Sequence, residues 1–247
     1  YCLRQRVEAI ANHAELDFMV FPSGIYQKER FLNIAHPYVY GYKIFDDDIA
    51  QFSKRQLPFI VWNNIYRTSS LRKHGLKWDV HLLSLQDADF NISSIACGMR
   101  YAYATNAKAD YGYRIASKSS VSKNIQGSKH ISSHLYATKK MCEVVHSFCG
   151  SRYDWHLFKG ALSIYNECMS GAGLNNEFAE SLIETLHCCN CHYWLLLRFQ
   201  VIATHVLHLF LPEKLSRQIP MGFYLKGRTY AENKKNKHLQ SFGLIKE

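Results

Sequence analysis

Negative charge is what this 247-residue chain is short of: 20 Asp and Glu stand against 30 Lys and Arg, a net +10 with a pI near 9.2. That balance favours a polyanionic partner, nucleic acid first and an anionic membrane surface second. A long uninterrupted apolar run is also missing. The most apolar stretch, residues 193–211, carries Arg198, Gln200, Thr204, His205 and His208. Charge inside such a stretch argues against a membrane span and for a buried helix of a folded domain. No disulfide framework is present. Cys2, Cys97, Cys142, Cys149, Cys168, Cys188, Cys189 and Cys191 follow no repeating spacing, and no secretory signal pattern precedes them. They are expected to be reduced cytosolic thiols. Five potential ligands crowd into residues 187–192 with no second pair at zinc-like spacing, so a structural zinc is not expected. Internal repeats are absent too.

What is abundant is aromatic: 16 Tyr, 14 Phe and 4 Trp, set among basic residues, a mixture suited to unstacked bases. With 47% hydrophobic residues, the chain has the composition of one large folded domain or two small ones.

In chain order, Val7, Ile10 and Ala11 fall at helical spacing, and residues 16–21 read as a strand ended by Pro22-Ser23-Gly24. Asp46-Asp47-Asp48 suits the cap and first turn of a helix through Ile49 and Phe52. A second strand is expected over residues 59–66, then a basic loop with Arg67, Arg72 and Lys73. Residues 74–85 read as a buried strand. Asp79 and His81, at i and i+2, would share one of its faces and form a candidate metal pair. Residues 91–109 fit either helix or strand, and 117–129 fit a loop or a basic helix face. From Ser133 onward the periodicity is helical, broken near Gly171–Asn175, and the tail after Pro212 is basic. The expected organisation is a strand-rich unit over 1–130 and a mostly helical region over 131–247.

These parts are those of tyrosine-mediated nicking of single-stranded DNA. A metal held by imidazole and carboxylate polarises the phosphate. A tyrosine attacks it, and lysines stabilise the developing charge. Tyr113 is the candidate nucleophile and Tyr111 the second choice. Lys118 and Lys123 are candidate phosphate stabilisers.

The order of motifs resembles the replication gene A proteins of temperate tailed phages, which are HUH-type replication initiation endonucleases. The likeness lies in Glu8–Asn12 before Asp17–Ser23, in Lys54–Phe59 (K-R-Q-L-P-F), and in His74–Leu83 (H-G-L-K-W-D-V-H-L-L). It continues in Gly112–Gly127, which holds V-S-K-N-I-Q-G, and in Arg152–Glu167. It covers roughly residues 5–168. The resemblance implies an α+β fold with an antiparallel sheet and flanking helices, followed by a mostly helical C-terminal region. It also implies origin nicking through Tyr113 with a 5′-phosphotyrosine link, Mg²⁺ or Mn²⁺ on Asp79 and His81, and DNA contacts from Arg67, Arg72, Lys73, Arg114 and Lys129. The implied partners are single-stranded origin DNA and a host replication helicase, with no membrane, in the cytoplasm of a bacterial host.

The chain departs from that pattern. Asp79 stands where the family has the first His, Ser119 or Ser120 where it has a second Tyr, and Met19-Val20-Phe21 where it has threonines. A catalytically degenerate DNA-binding protein of the same fold is therefore the alternative. A third possibility is a GIY-YIG nuclease, from Gly24-Ile25-Tyr26, Tyr38-Val39-Tyr40-Gly41 and Lys73-His74-Gly75. It ranks below both because no Glu lies between Glu29 and Glu143. The last is a structural protein whose charge serves only solubility.

Overall fold

The computed structural model describes residues 2–27, 30–32, 40–114, 128–172, 176–212, 215, 216, 219, 220 and 237. Its elements in chain order are α1 (Cys2–Ala11), β1 (Phe18–Val20), β2 (Ser23–Gln27), β3 (Arg30–Leu32), α2 (Asp48–Ser53), β4 (Asn64–Tyr66), α3 (Thr68–Lys73), α4 (Gln86–Ala96), β5 (Tyr101–Tyr103), β6 (Tyr111–Arg114), α5 (Ser128–Cys149), α6 (Asp154–Ala172), α7 (Asn176–Cys188) and α8 (Trp194–His208). The class is α+β, with helices dominating.

The strands form two small mixed sheets, ordered β4-β1-β5 and β3-β2-β6. β1 runs antiparallel to β4 but parallel to β5, and β2 antiparallel to β3 but parallel to β6. The expected antiparallel sheet is corrected by these pairings. β1 and β2 are separated only by Phe21 and Pro22, and each takes a parallel partner from later in the chain, β5 and β6 respectively.

β1 is apolar throughout because both its faces are covered. Phe18 and Val20 join the main core, while Met19 packs with Ile10, Leu16 and Phe21 beneath α1. Phe18 pairs in register with Tyr66 on one side and Tyr101 on the other. Its ring stacks on theirs at 4.7 and 4.8 Å. Each such ring pair contributes about 0.5–1.5 kcal/mol beyond its buried area. The main cluster of buried side chains runs from Phe18 to Val201 and so crosses residue 130.

Residues 59–66 form only a short strand, β4, after a 3-10 turn over Val61–Asn63. The buried Asn63 side chain does the work of a ladder here, donating to Phe21 O at 2.8 Å and accepting from Ile60 N at 3.1 Å. Gly41, at φ +81°, closes the same corner. A Cβ there would lie 2.0 Å from Phe21 O. α2 starts as its acidic run suggests. Asp47 is the N-cap, its Oδ1 accepting from Ala50 N at 3.0 Å, and Asp48 turns inward to accept from Tyr101 and Tyr103 at 2.7 and 2.8 Å.

The apolar stretch 193–211 is helical over Trp194–His208, but only one face of it is buried. Leu197, Gln200, Val201 and Thr204 face the core, and the opposite side faces solvent.

Candidate nucleic-acid interface

Residues 74–85 are not a strand but the loop joining α3 to α4. His74 is the C-cap of α3, Gly75 turns the chain at φ +64°, and Leu85 holds φ +64° before α4 begins. In this apolar-looking run only Leu82 is buried, and Val80 is 80% exposed. The loop's backbone is satisfied by a helix instead of a neighbouring strand. Leu83 N and Ser84 N both donate to Ser133 Oγ of α5, at 2.9 and 3.1 Å.

Asp79 organises this loop. Its Oδ1 accepts from His81 N at 2.9 Å, a local side-chain turn, and lies 3.2 Å from His81 Nδ1. Its Oδ2 accepts from Lys140 Nζ at 2.7 Å and from Tyr136 OH at 3.1 Å. The hydrogen bond from Lys140, with that from the His81 amide, holds the Asp79 carboxyl well below the usual carboxylate range. Lys140 also reaches Asp89 at 2.9 Å. Asp89 shifts the other way, upward, because burial disfavours its charge and Asp79 lies nearby. The Tyr136 hydroxyl is raised by donating to Asp79.

An open pocket of about 420 Å³ lies beside this network, lined by His81, Leu83, Lys129, Ser132, Ser133 and Tyr136. It collects an imidazole, an ammonium, two hydroxyls and a phenol at the N-terminal end of α5. Ser84 Oγ and His130 Nδ1, 2.8 Å apart, hold the loop to the same end of that helix. Donors of this kind suit a phosphate oxygen.

His81, Asp79 and Lys129, all singled out in the sequence, thus meet at one place. Arg72 and Lys73 are exposed on the last turn of α3, at the start of the same loop. Arg67 is differently employed: its guanidinium donates to the carbonyls of Leu16, Ile10 and His13 at 2.8, 2.7 and 3.1 Å and ties α1 to the sheet. Tyr113 and Arg114 lie on β6, paired with Ile25 and Tyr26. Tyr111 is partly exposed against Trp62, ring centroids 5.9 Å apart. Lys118 and Lys123 lie outside the described residues.

Ser133, Tyr136 and Lys140 complete the site without belonging to any motif of the sequence. The signal was there: Lys129, Ser133, Tyr136 and Lys140 recur at spacings of four, three and four, which puts them on one face of α5.

The Asp79–His81 pair does not fit Mg²⁺ or Mn²⁺ as it stands. Both oxygens of Asp79 are engaged, one of them by an ammonium, which repels a cation. Among the described residues no group of three or more His, Cys, Asp or Glu is arranged to hold a metal ion. No helix among them is long and apolar enough to cross a membrane. Comparison with family models, with characterised proteins and with solved structures returns no match to this chain.

Proposed function

We propose that this chain binds single-stranded DNA through its phosphate backbone, in the manner of a replication-initiation protein, with the pocket of His81, Lys129 and Tyr136 as one phosphate seat. The observation that carries this reading is the convergence of His81 and Lys129, distant in sequence, on one polar pocket in a chain of net +10. Arg72 and Lys73 extend the positive surface along the same loop. The Lys140 ammonium on Asp79 favours binding without metal chemistry, the degenerate form of the HUH-type fold.

Strand nicking is the second reading, and one observation favours it. The pocket holds an exposed tyrosine, Tyr136, beside an imidazole and a lysine. In that reaction a tyrosine oxygen attacks the scissile phosphorus. The bond to the 3′ oxygen breaks, and the phenolic proton passes through solvent to that oxygen, leaving a 3′-hydroxyl and a 5′-phosphotyrosine. Tyr113 is the nucleophile the family likeness implies; Tyr136 is the tyrosine of this pocket.

The test is fluorescence anisotropy with labelled single-stranded DNA across a salt series, with heparin as competitor. Expected is an affinity that falls linearly on a log–log plot against salt, and DNA held against a charge-matched amount of heparin. Salt-insensitive binding, or equal displacement by any polyanion, rejects the proposal.

A further inference from the structure

The exposed side of α8 is the largest feature that the DNA reading leaves unused. Leu195, Phe199, Ile202, Val206 and Leu209 are 60, 65, 54, 51 and 78% exposed. Their spacing is four, three, four, three. This is the 3.5-residue repeat of a helix that packs lengthwise against another helix, and it lies opposite the face that α8 already buries through Leu197, Val201 and Thr204. Leu196 and Phe210, 39 and 79% exposed, flank the seam.

Size identifies the occupant as macromolecular. Taking roughly 150–200 Å² as the full area of such side chains, the seven expose on the order of 700 Å². That exceeds the ~300–600 Å² of the largest apolar patch on a typical monomer and approaches the ~800 Å² that each partner contributes to a standard interface. The repeat calls for a helical partner with a matching seam, and α8 itself has one.

We propose that α8 is a dimerisation helix, packing antiparallel against α8 of a second copy of this chain about a two-fold axis near Ile202. Charge fixes the orientation. Arg198 is the only Lys, Arg, Asp or Glu on α8. Parallel helices would set it against its own copy, whereas the antiparallel pair keeps the two guanidinium groups about 12 Å apart along the axis. In that arrangement Leu195 faces Leu209 of the second copy, and Ile202 faces Ile202. The surface is isologous, so association closes at two chains.

Sedimentation equilibrium of the full chain tests this. The wild type is expected as a dimer. Phe199→Glu, at an exposed position, should keep the helical circular dichroism and a cooperative melting transition while raising the dimer dissociation constant by about 30-fold or more, the size of a central apolar anchor. Orientation is read from two further variants. Leu195→Lys and Leu209→Glu should each be monomeric alone and should form a heterodimer when mixed, because the antiparallel pair sets lysine against glutamate. A wild type that stays monomeric at its highest soluble concentration overturns the proposal. So does a Phe199→Glu protein that remains dimeric, or a mixture of the two charge variants that fails to associate. Monomeric wild type that co-sediments with anionic vesicles through this face would replace the second copy with a lipid surface and equally overturn it.

Discussion

The Lys140 ammonium sits between two carboxylates, 2.7 Å from Asp79 Oδ2 and 2.9 Å from Asp89 Oδ2, and joins α5 to the loop and to α4. Lys140→Met leaves two negative charges facing each other with little water, Asp89 being only 5% exposed. The expected cost is about 2–3 kcal/mol in urea unfolding, below the range for fully buried pairs because Lys140 keeps some solvent contact. Asp89→Asn should cost less, since burial already disfavours its charge. Adding it to Lys140→Met should recover part of the loss.

Acid should affect the two carboxylates in opposite directions. Asp79 is depressed in the folded state, so its stabilisation is complete above about pH 4, the unfolded value, and fades as pH falls toward the folded one. Asp89 is raised, so the fold gains from its protonation as pH falls through that raised value. An Asp89→Asn protein should therefore lose stability more steeply than the wild type as pH falls through that raised value, measured as the urea midpoint against pH.

Base should unfold the sheet. Tyr66, Tyr101 and Tyr103 all have hydroxyls pushed upward by burial, the last two also by the Asp48 carboxylate they donate to. Above about pH 10 the unfolded chain releases these protons while the folded protein retains them, so stability falls as pH rises. Phenolate absorbance from these rings is expected to appear together with the loss of helical circular dichroism. Phenolate that forms in the folded protein would show that water reaches them.

Asp47→Ala removes the N-cap of α2 and also the acceptor, at 3.0 Å, of the Tyr153 hydroxyl. A cap alone contributes about 1 kcal/mol. The variant should lose more than that. In the Tyr153→Phe background the same substitution should cost only the cap, a difference a double-mutant cycle measures.

Local signals in the sequence carried well. The Asp46–Asp48 run marks the start of α2, and the apolar run at 16–21 marks β1, because cap chemistry and strand burial act over a few residues. Long-range partners did not carry. Residues 74–85 have the composition of a buried strand, yet Ser133, far along the chain, supplies the hydrogen bonds that hold them as a loop. Arg67 looks like a phosphate ligand until three backbone carbonyls are found around it. Residues 193–211 are apolar on both sides, and composition does not say which side the core takes.

Tyr113 and Tyr136 separate the two functional readings. On denaturing gels, labelled single-stranded DNA with Mg²⁺ or Mn²⁺ should give no covalent band if the chain only binds, since Lys140 occupies Asp79. Under the nicking reading a band appears with the wild type, and the variant that abolishes it identifies the nucleophile. Loss in Tyr113→Phe supports the family likeness; loss in Tyr136→Phe supports the pocket. Lys129→Ala discriminates further, because it touches binding in either case. It should weaken affinity several-fold and make the log–log salt slope shallower by about 0.7, the contribution of one phosphate contact on a single strand. A slope unchanged by Lys129→Ala would place the DNA elsewhere on the protein, even if binding itself were strong.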